Sequence, residues 1–511
     1  MQRVAFWVCV LAGTVSCAGT TTNEPDDGAA GASGGAAPTA GSGSKPGGAG
    51  ANSGGSGTAA GAASHAGAAT AGQGGTPSAG SGGTPSAGSG GTPSAGSGGD
   101  VFVGEVAGLP ATGAGWEVPT GDPLNSTPPV LARLGAGVVL AGASADPRTV
   151  GVEALASGVQ SEAFLAGLDH AGKAQWRRPL LAAGLPNAVA VNAAQEIIVL
   201  ASYLPDLETV SPFFSSDSIY LGKFMANGTP IFEKELKFDS GIRPYALGLG
   251  ADGSIWVGGA KSTEFPNEAV ALAKYDSSGA QQFLGLFPCD GSCSVYDLSV
   301  MPSGDVVLCG SFNSTFDLGG ETLTTQAKLG DSLMYNGFAA RFDSTGKHVW
   351  SQRFGGPIFD LGTTIAALPG GDLVLGGTLS GAATVGGKSV TAEAEEGQAF
   401  VARLDPEGKA RWVELADGTA RVNTFEVDGD TLHVAGNFDT TAYLQDRELA
   451  TGKLLGSTRA VTGTPYASAA ALDSAGSLWL GGSYTNGLDL GNQNSLSAAS
   501  GVFLLRLDRA P

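Results

Sequence analysis

The chain has 511 residues, of which 83 are glycine, and its 27 basic against 47 acidic side chains leave a net charge of −20. That balance argues against nucleic acid or an anionic membrane surface as a partner. From Ala18 to Asp100 there is no Val, Ile, Leu, Met, Phe, Trp, Tyr or Cys, so this stretch has nothing to bury against the entropy of folding. Folding is left to residues 101–511.

Residues 1–17 carry Arg3, an apolar run from Val4 to Ala12 and small residues up to Cys17, the layout of an export signal. The run is too short to span a bilayer. Thr14-Val15-Ser16-Cys17 resembles a bacterial lipobox, with Thr14 where that motif usually has Leu. The resemblance implies lipidation of Cys17; ordinary cleavage after Ala18 is the alternative. No other apolar segment is long enough to span, so membrane attachment is expected through the lipid anchor alone. Residues 18–100 end in three copies of Gly-Gly-Thr-Pro-Ser-Ala-Gly-Ser, starting at Gly74, Gly82 and Gly90. Such low-complexity sequence reads as a disordered tether with an r.m.s. span of roughly 50 Å. Gly31 to Gly35 matches G-x-S-x-G, but without the strand and helix that hydrolase motif needs it reads as chance.

In residues 101–511 an apolar strand ending in small residues recurs seven times, as in IWVGGAK from Ile255, VVLCGSF from Val306 and LVLGGTL from Leu373. Alignment places Gly142, Ser202, Gly259, Gly310, Gly377, Gly436 and Gly482 at one position. Each copy is preceded by a short apolar strand and a tight turn such as Ala251-Asp252-Gly253-Ser254. Each is followed by a longer connection, a third strand with a second turn, as in FAARFDSTG from Phe338, and a fourth strand with Trp at Trp176, Trp350 or Trp412. The second and sixth copies are degenerate and lack that Trp. Four antiparallel strands per unit, seven units and no convincing amphipathic helix predict an all-β seven-bladed β-propeller. The last unit lacks a fourth strand, and the segment 113–118 before the first unit is expected to supply it, its Trp116 about as far before the next strand as Trp176 or Trp350 is from theirs. An open ring would leave a raw strand edge.

The unit running from Gly310-Ser311-Phe312 through Phe316-Asp317-Leu318-Gly319-Gly320 to Phe338-Ala339-Ala340-Arg341-Phe342 and Trp350 resembles the bacterial seven-bladed β-propeller repeat of exported proteins. The resemblance covers residues 113–508. The Gly-Lys-x-x-Trp endings at Gly172, Gly346 and Gly408 are also similar to pyrroloquinoline-quinone-type propeller repeats, some of them dehydrogenases and others outer-membrane assembly lipoproteins. Both kinds usually have eight blades, and the enzymes often carry adjacent cysteines; here there are seven units and no adjacent cysteines. Either resemblance implies mainly fold.

Few residues are candidates for chemistry. His170, His348 and His433 fall in repeat elements and form no H-x-H or H-E-x-x-H, so they read as solvated or core residues. Cys289 and Cys293, four apart around Gly291 in an exported chain, are expected to form a disulfide. Cys309, inside a strand, reads as a buried thiol. Asp169, Asp276, Asp343 and Asp405, in Asp-x-x-Gly turns, and Asp508 at the corresponding place in the last unit read as turn residues whose carboxylate serves the backbone without an ion. The tryptophans read as packing between blades. No catalytic, cofactor-binding or metal-ligating residue is nominated.

Strand parity puts the tight turns on one face and, on the other, the longer connections: Asn313 to Asn336, Thr378 to Gln398 and the Cys289 loop. Variable loops on a repeated scaffold are where binding is expected. The leading reading is a non-enzymatic, surface-tethered lipoprotein binding an extracellular protein or glycan through that face. An envelope-assembly lipoprotein, and a funnel-site lyase, glycosidase or quinone-dependent dehydrogenase, are the alternatives; buried charges around the channel would favour the enzyme. The location is the outer membrane or cell surface, or, without the lipid, secretion.

Overall fold

The computed structural model describes residues 115–117, 129–144, 162–180, 183–203, 216–262, 268–329, 332–394, 397–416, 420–438, 441–459, 462–489, 495–496 and 500–507. Residues 1–17 with Cys17, residues 18–100 and Asp508 lie outside them. The described residues form seven four-stranded antiparallel blades and no helix. Blade 1 runs through Val130–Leu134, Gly137–Ser144, Glu162–Leu168 and Ala174–Pro179. Blade 4 runs through Cys293–Val300, Val306–Phe312, Asn336–Phe342 and His348–Phe354. The first strand of every blade lies against the first strands of its two neighbours, and that of blade 7 lies against that of blade 1, which closes the ring around a central channel.

The second strand of a blade is flanked by two strands and covered by two neighbouring blades. Its sequence is therefore a continuous apolar run instead of an alternation; Val306–Phe312 and Leu373–Leu379 are buried at every residue. Hydrophobic clusters fill the clefts between blades, as with Phe312, Phe316 and Phe338 of blade 4 against Trp256 and Leu272 of blade 3. Each buried Phe of this kind contributes about 2 to 3 kcal/mol.

Blade 7 consists of Thr462–Leu472, Leu478–Asp489, Ser500–Leu507 and, from the other end of the propeller, Gly115–Glu117. The N-terminal strand completes it as expected, pairing Gly115 with Phe503, Trp116 with Val502 and Glu117 with Gly501. Trp116 does not take the pairing position of Trp176. Trp176 stands opposite Gly167, whose counterpart in blade 7 is Arg506, so Trp116 lies four residues beyond that position. A second departure is that Pro230–Leu249 is one continuous strand, the fourth of blade 2 and the first of blade 3.

The aromatic residues of the fourth strands clamp successive blades. Trp176, Phe232, Phe283, Trp350 and Trp412 each cover the third turn glycine of the next blade, at Gly228, Gly279, Gly346, Gly408 and Gly452. Those glycines have positive φ, from 77° to 88°, and a Cβ at Gly346 would come within 2.6 Å of the Phe283 ring. The indoles of Trp350 and Trp412 also donate to the carbonyls of Pro406 and Leu449 at 2.9 and 3.2 Å.

Candidate site at the channel mouth

The repeated glycine positions the site. In blades 3 to 7 the first strand carries a β-bulge opposite it, and the extra residue is Tyr245, Tyr296, Thr363, Asn423 or Ser468. The bulge drives a first-strand carbonyl into the space a side chain would need. A Cβ at Gly310, Gly377 or Gly436 would lie 1.9 Å from the carbonyl oxygen of Ser294, Leu361 or Arg421, and at Gly259 and Gly482 it would meet those of Arg243 and Tyr466. In blade 2 the register shifts are placed differently, and Ser202 is accommodated, its hydroxyl on the Leu185 carbonyl.

Every bulged residue has a hydroxyl or an amide, and these groups run along the inner ring. Thr363 donates to the Val422 carbonyl at 2.5 Å and Asn423 to the Ala467 carbonyl at 2.8 Å, tying blade 5 to blade 6 and blade 6 to blade 7. The Tyr245 and Tyr296 rings lie 6.3 Å apart, and the Tyr296 hydroxyl is 3.0 Å from Ser311 Oγ.

Two residues before the bulge, nearer the face of the long connections, stand Arg243, Arg421 and Tyr466 in blades 3, 6 and 7. Arg243 is paired with Glu268, whose other oxygen accepts from the Cys293 N–H at 3.2 Å. Arg421 is half-buried, and its guanidinium makes no hydrogen bond or ion pair to any described residue. It nevertheless lies close enough to the phenols of Tyr296 and Tyr466 to oppose the rise in their pKa. Burial dominates, and pushes Tyr245, Tyr296, Tyr335 and Tyr466 above the usual phenol range. At neutral pH these hydroxyls therefore keep their protons and act as donors.

Carboxyl groups also line the inner ring. Burial raises Asp297 to about 6, yet its oxygens are engaged: Leu298 N–H at 2.8 Å, Ile365 N–H at 2.8 Å and the Thr364 hydroxyl at 3.0 Å. It is a staple between blades 4 and 5. Glu426, raised to about 8 by burial, stands directly across from His433, whose Nδ1 is 2.6 Å from Asp446. Asp360, raised by burial to about 6, accepts from Asn336, Gly356 and Ser380 and holds the connection into blade 5.

The residues nominated from the sequence lie apart from the mouth or support it. Cys289 and Cys293 form the expected disulfide, which anchors the strand that bears Tyr296. Cys309 is a buried thiol, its pKa raised by burial. His170 is exposed and its carbonyl accepts from Arg506 of blade 7; His348 bonds Ser351; His433 is buried. Asp169, Asp276, Asp343 and Asp405 each accept two backbone N–H groups of their own turns. Two hairpins of the long connections pack along the outside, while Tyr335 at the end of the first connection reaches Tyr296, Arg243 and Glu268. Gly381–Val385 and Lys388–Ala392 form a hairpin that bridges to Gly355 and reaches Ala410, between the outer strands of blades 4 and 5. Thr315–Phe316 and Leu323–Thr324 form another, paired to the outer strand of blade 3 at Cys289. The mouth residues escape sequence reading because a bulge leaves no periodic signal; the only clue is a tyrosine, asparagine or hydroxyl recurring in otherwise apolar first strands.

No protein-family model and no curated protein matches the chain. Among solved structures, a PL25 ulvan lyase superposes at a TM-score of 0.43 with 9% identity, over 78% of this chain and 97% of that one. The Dos1 propeller does so at 0.38 with 11% identity, over 78% and 87%, and Kuenenia stuttgartiensis hydrazine synthase at 0.36 with 12%, over 63% and 86%. Likeness at this level carries nothing about chemistry, and the propeller rests on the strand pairing described above.

Proposed function

We propose that this protein is a surface-tethered, non-enzymatic β-propeller that binds an extracellular or envelope protein or glycan at the channel mouth, on the face of the long connections. The observation that carries this reading is Arg421, a half-buried guanidinium with no described partner beside phenols from two other blades. Holding a charge partly out of water without a counter-ion costs free energy, and a ligand that supplies the partner recovers it. Phenols kept protonated by burial suit hydrogen bonding better than proton abstraction. The segment 1–17 with Cys17, followed by the tether 18–100, supports export and a lipid anchor at the outer membrane or cell surface. An envelope-assembly role is the same reading with a protein as ligand.

The test is retention on arrays of envelope polysaccharides and surface proteins, beside a Tyr245→Ala/Tyr466→Ala variant with an unchanged circular dichroism spectrum. Loss of retention by tenfold or more in the variant is the expected result; equal retention by both proteins moves the site away from the mouth. Mass spectrometry of the N-terminal peptide decides between a lipidated Cys17 and cleavage after Ala18. The enzymatic reading is favoured by one observation, the carboxyl of Glu426 held protonated near neutral pH by burial. New reducing ends or unsaturated sugars released from a retained polysaccharide would establish it and overturn the non-enzymatic reading.

A further inference from the structure

We infer that the ligand of the mouth is an anionic saccharide, its carboxylate or sulfate group held by the Arg421 guanidinium and its ring seated against the phenol of Tyr296 beside that arginine and that of Tyr245, which packs next to Tyr296. The inference rests on reading the mouth as the binding site, and it follows from which polar groups there remain unused. Both oxygens of Glu268 are taken, by Arg243 and by the Cys293 N–H. The guanidinium of Arg421 and the hydroxyls of Tyr245 and Tyr466 have no described partner, and the buried Nε of Arg243 has no acceptor. The unused side-chain groups of Arg421, Arg243, Tyr245 and Tyr466 are thus predominantly donors, and a guanidinium presents a planar fork that fits a carboxylate or sulfate with two parallel hydrogen bonds.

A neutral sugar would leave the charge unpaired, and a cation would be repelled. The chain as a whole carries a net charge of −20, so its general field does not attract polyanions, and recognition must come from this one fixed charge. The rings of Tyr245 and Tyr296, tilted at 59° to one another, add an apolar surface, with the Tyr296 hydroxyl engaged by Ser311. A sugar ring, with C–H faces and equatorial hydroxyls, complements such a surface; the C-terminal carboxylate of a peptide would use the guanidinium and leave the rings idle.

The experiment is isothermal titration of the exported protein, purified with its tether, against oligogalacturonate, sulfated galactan oligomers, neutral galactan oligomers and a peptide with a free C-terminus. At least one acidic series is expected to bind ten times more tightly than the neutral one, and more weakly as sodium chloride is raised. Which acidic series binds identifies the anion. Arg421→Gln is expected to lose tenfold or more, with Arg421→Lys intermediate, which separates loss of charge from loss of fold. Equal binding of neutral oligomers, unchanged by Arg421→Gln but lost in Tyr245→Ala/Tyr466→Ala, overturns the inference and keeps the mouth as the site. No binding by either acidic series overturns it too, whether or not the peptide binds. Acidic oligomers bound equally by every variant would instead remove the mouth as the site.

Discussion

At the scale of single residues, two kinds of glycine carry the fold for different reasons. Turn glycines such as Gly346 adopt positive φ, whereas Gly310 and its counterparts make room for a carbonyl pushed forward by a bulge. Gly310→Ala would place a methyl 1.9 Å from the Ser294 oxygen, so it is expected to cost about 3 kcal/mol or more in urea unfolding. Gly370→Ala, where nothing lies within 4 Å, is expected to change stability by less than about 0.5 kcal/mol. The repeat of glycine was plain in the sequence; its cause was not, because the bulge lies on a different strand. Buried carboxyls set the pH response. Glu426 has an ordinary value of 4.5 and about 8 in the fold, so between those values the unfolded chain has lost a proton that the folded chain keeps. Stability from this group is therefore full below about pH 4.5 and falls as pH rises towards 8. Asp297 acts in the same direction up to about 6, while Asp372 and Glu196, lowered by their Arg and Lys partners, lose stability in acid. Thermal midpoints are expected to peak near about pH 5, and Glu426→Gln is expected to flatten the decline from there to pH 8.

At the scale of elements, the pairing of a fourth-strand aromatic with the next blade's turn glycine explains why two units looked irregular. Blade 2 has Phe232 where a Trp was sought, and Phe283 does the same in blade 3; the physical requirement is a flat ring over a glycine, and either residue meets it. In blade 6 the place is taken by Gly456, where an added Cβ would meet nothing within 4 Å. Phe283→Ala is therefore expected to cost about 2 to 3 kcal/mol, and Gly456→Ala close to nothing, as measured by chemical denaturation. The Cys289–Cys293 disulfide closes a short loop, for which the chain-entropy relation gives about 2 kcal/mol. A Cys289→Ser/Cys293→Ser variant is expected to lose that much. The long connections were legible as insertions but not as hairpins folded along the outside. Their apolar residues, among them Phe316, Leu323, Ala383 and Val385, are buried between blades, a destination that sequence position does not announce.

At the scale of the molecule, the blade count and the borrowed closing strand could be read from the sequence because both repeat a pattern seven times. The mouth could not, since Tyr245, Tyr296 and Arg421 stand in three separate units and share one inner ring only in the fold. Removal of residues 101–125 is expected to lower the unfolding midpoint and broaden the transition, because Ser500–Leu507 would then expose an unpaired edge. A sharp transition at an unchanged midpoint would show that the ring holds without its latch. The latch also has a mechanical consequence. Among the described residues, Gly115–Glu117 is the first strand along the chain and is matched to the last at three positions. A load applied through the N-terminal side passes through these three pairs before it reaches any other blade. In a chain held by that end in flowing liquid, blade 7 is the fuse: drag would open the ring at this seam, and with it the mouth to which Tyr466 belongs.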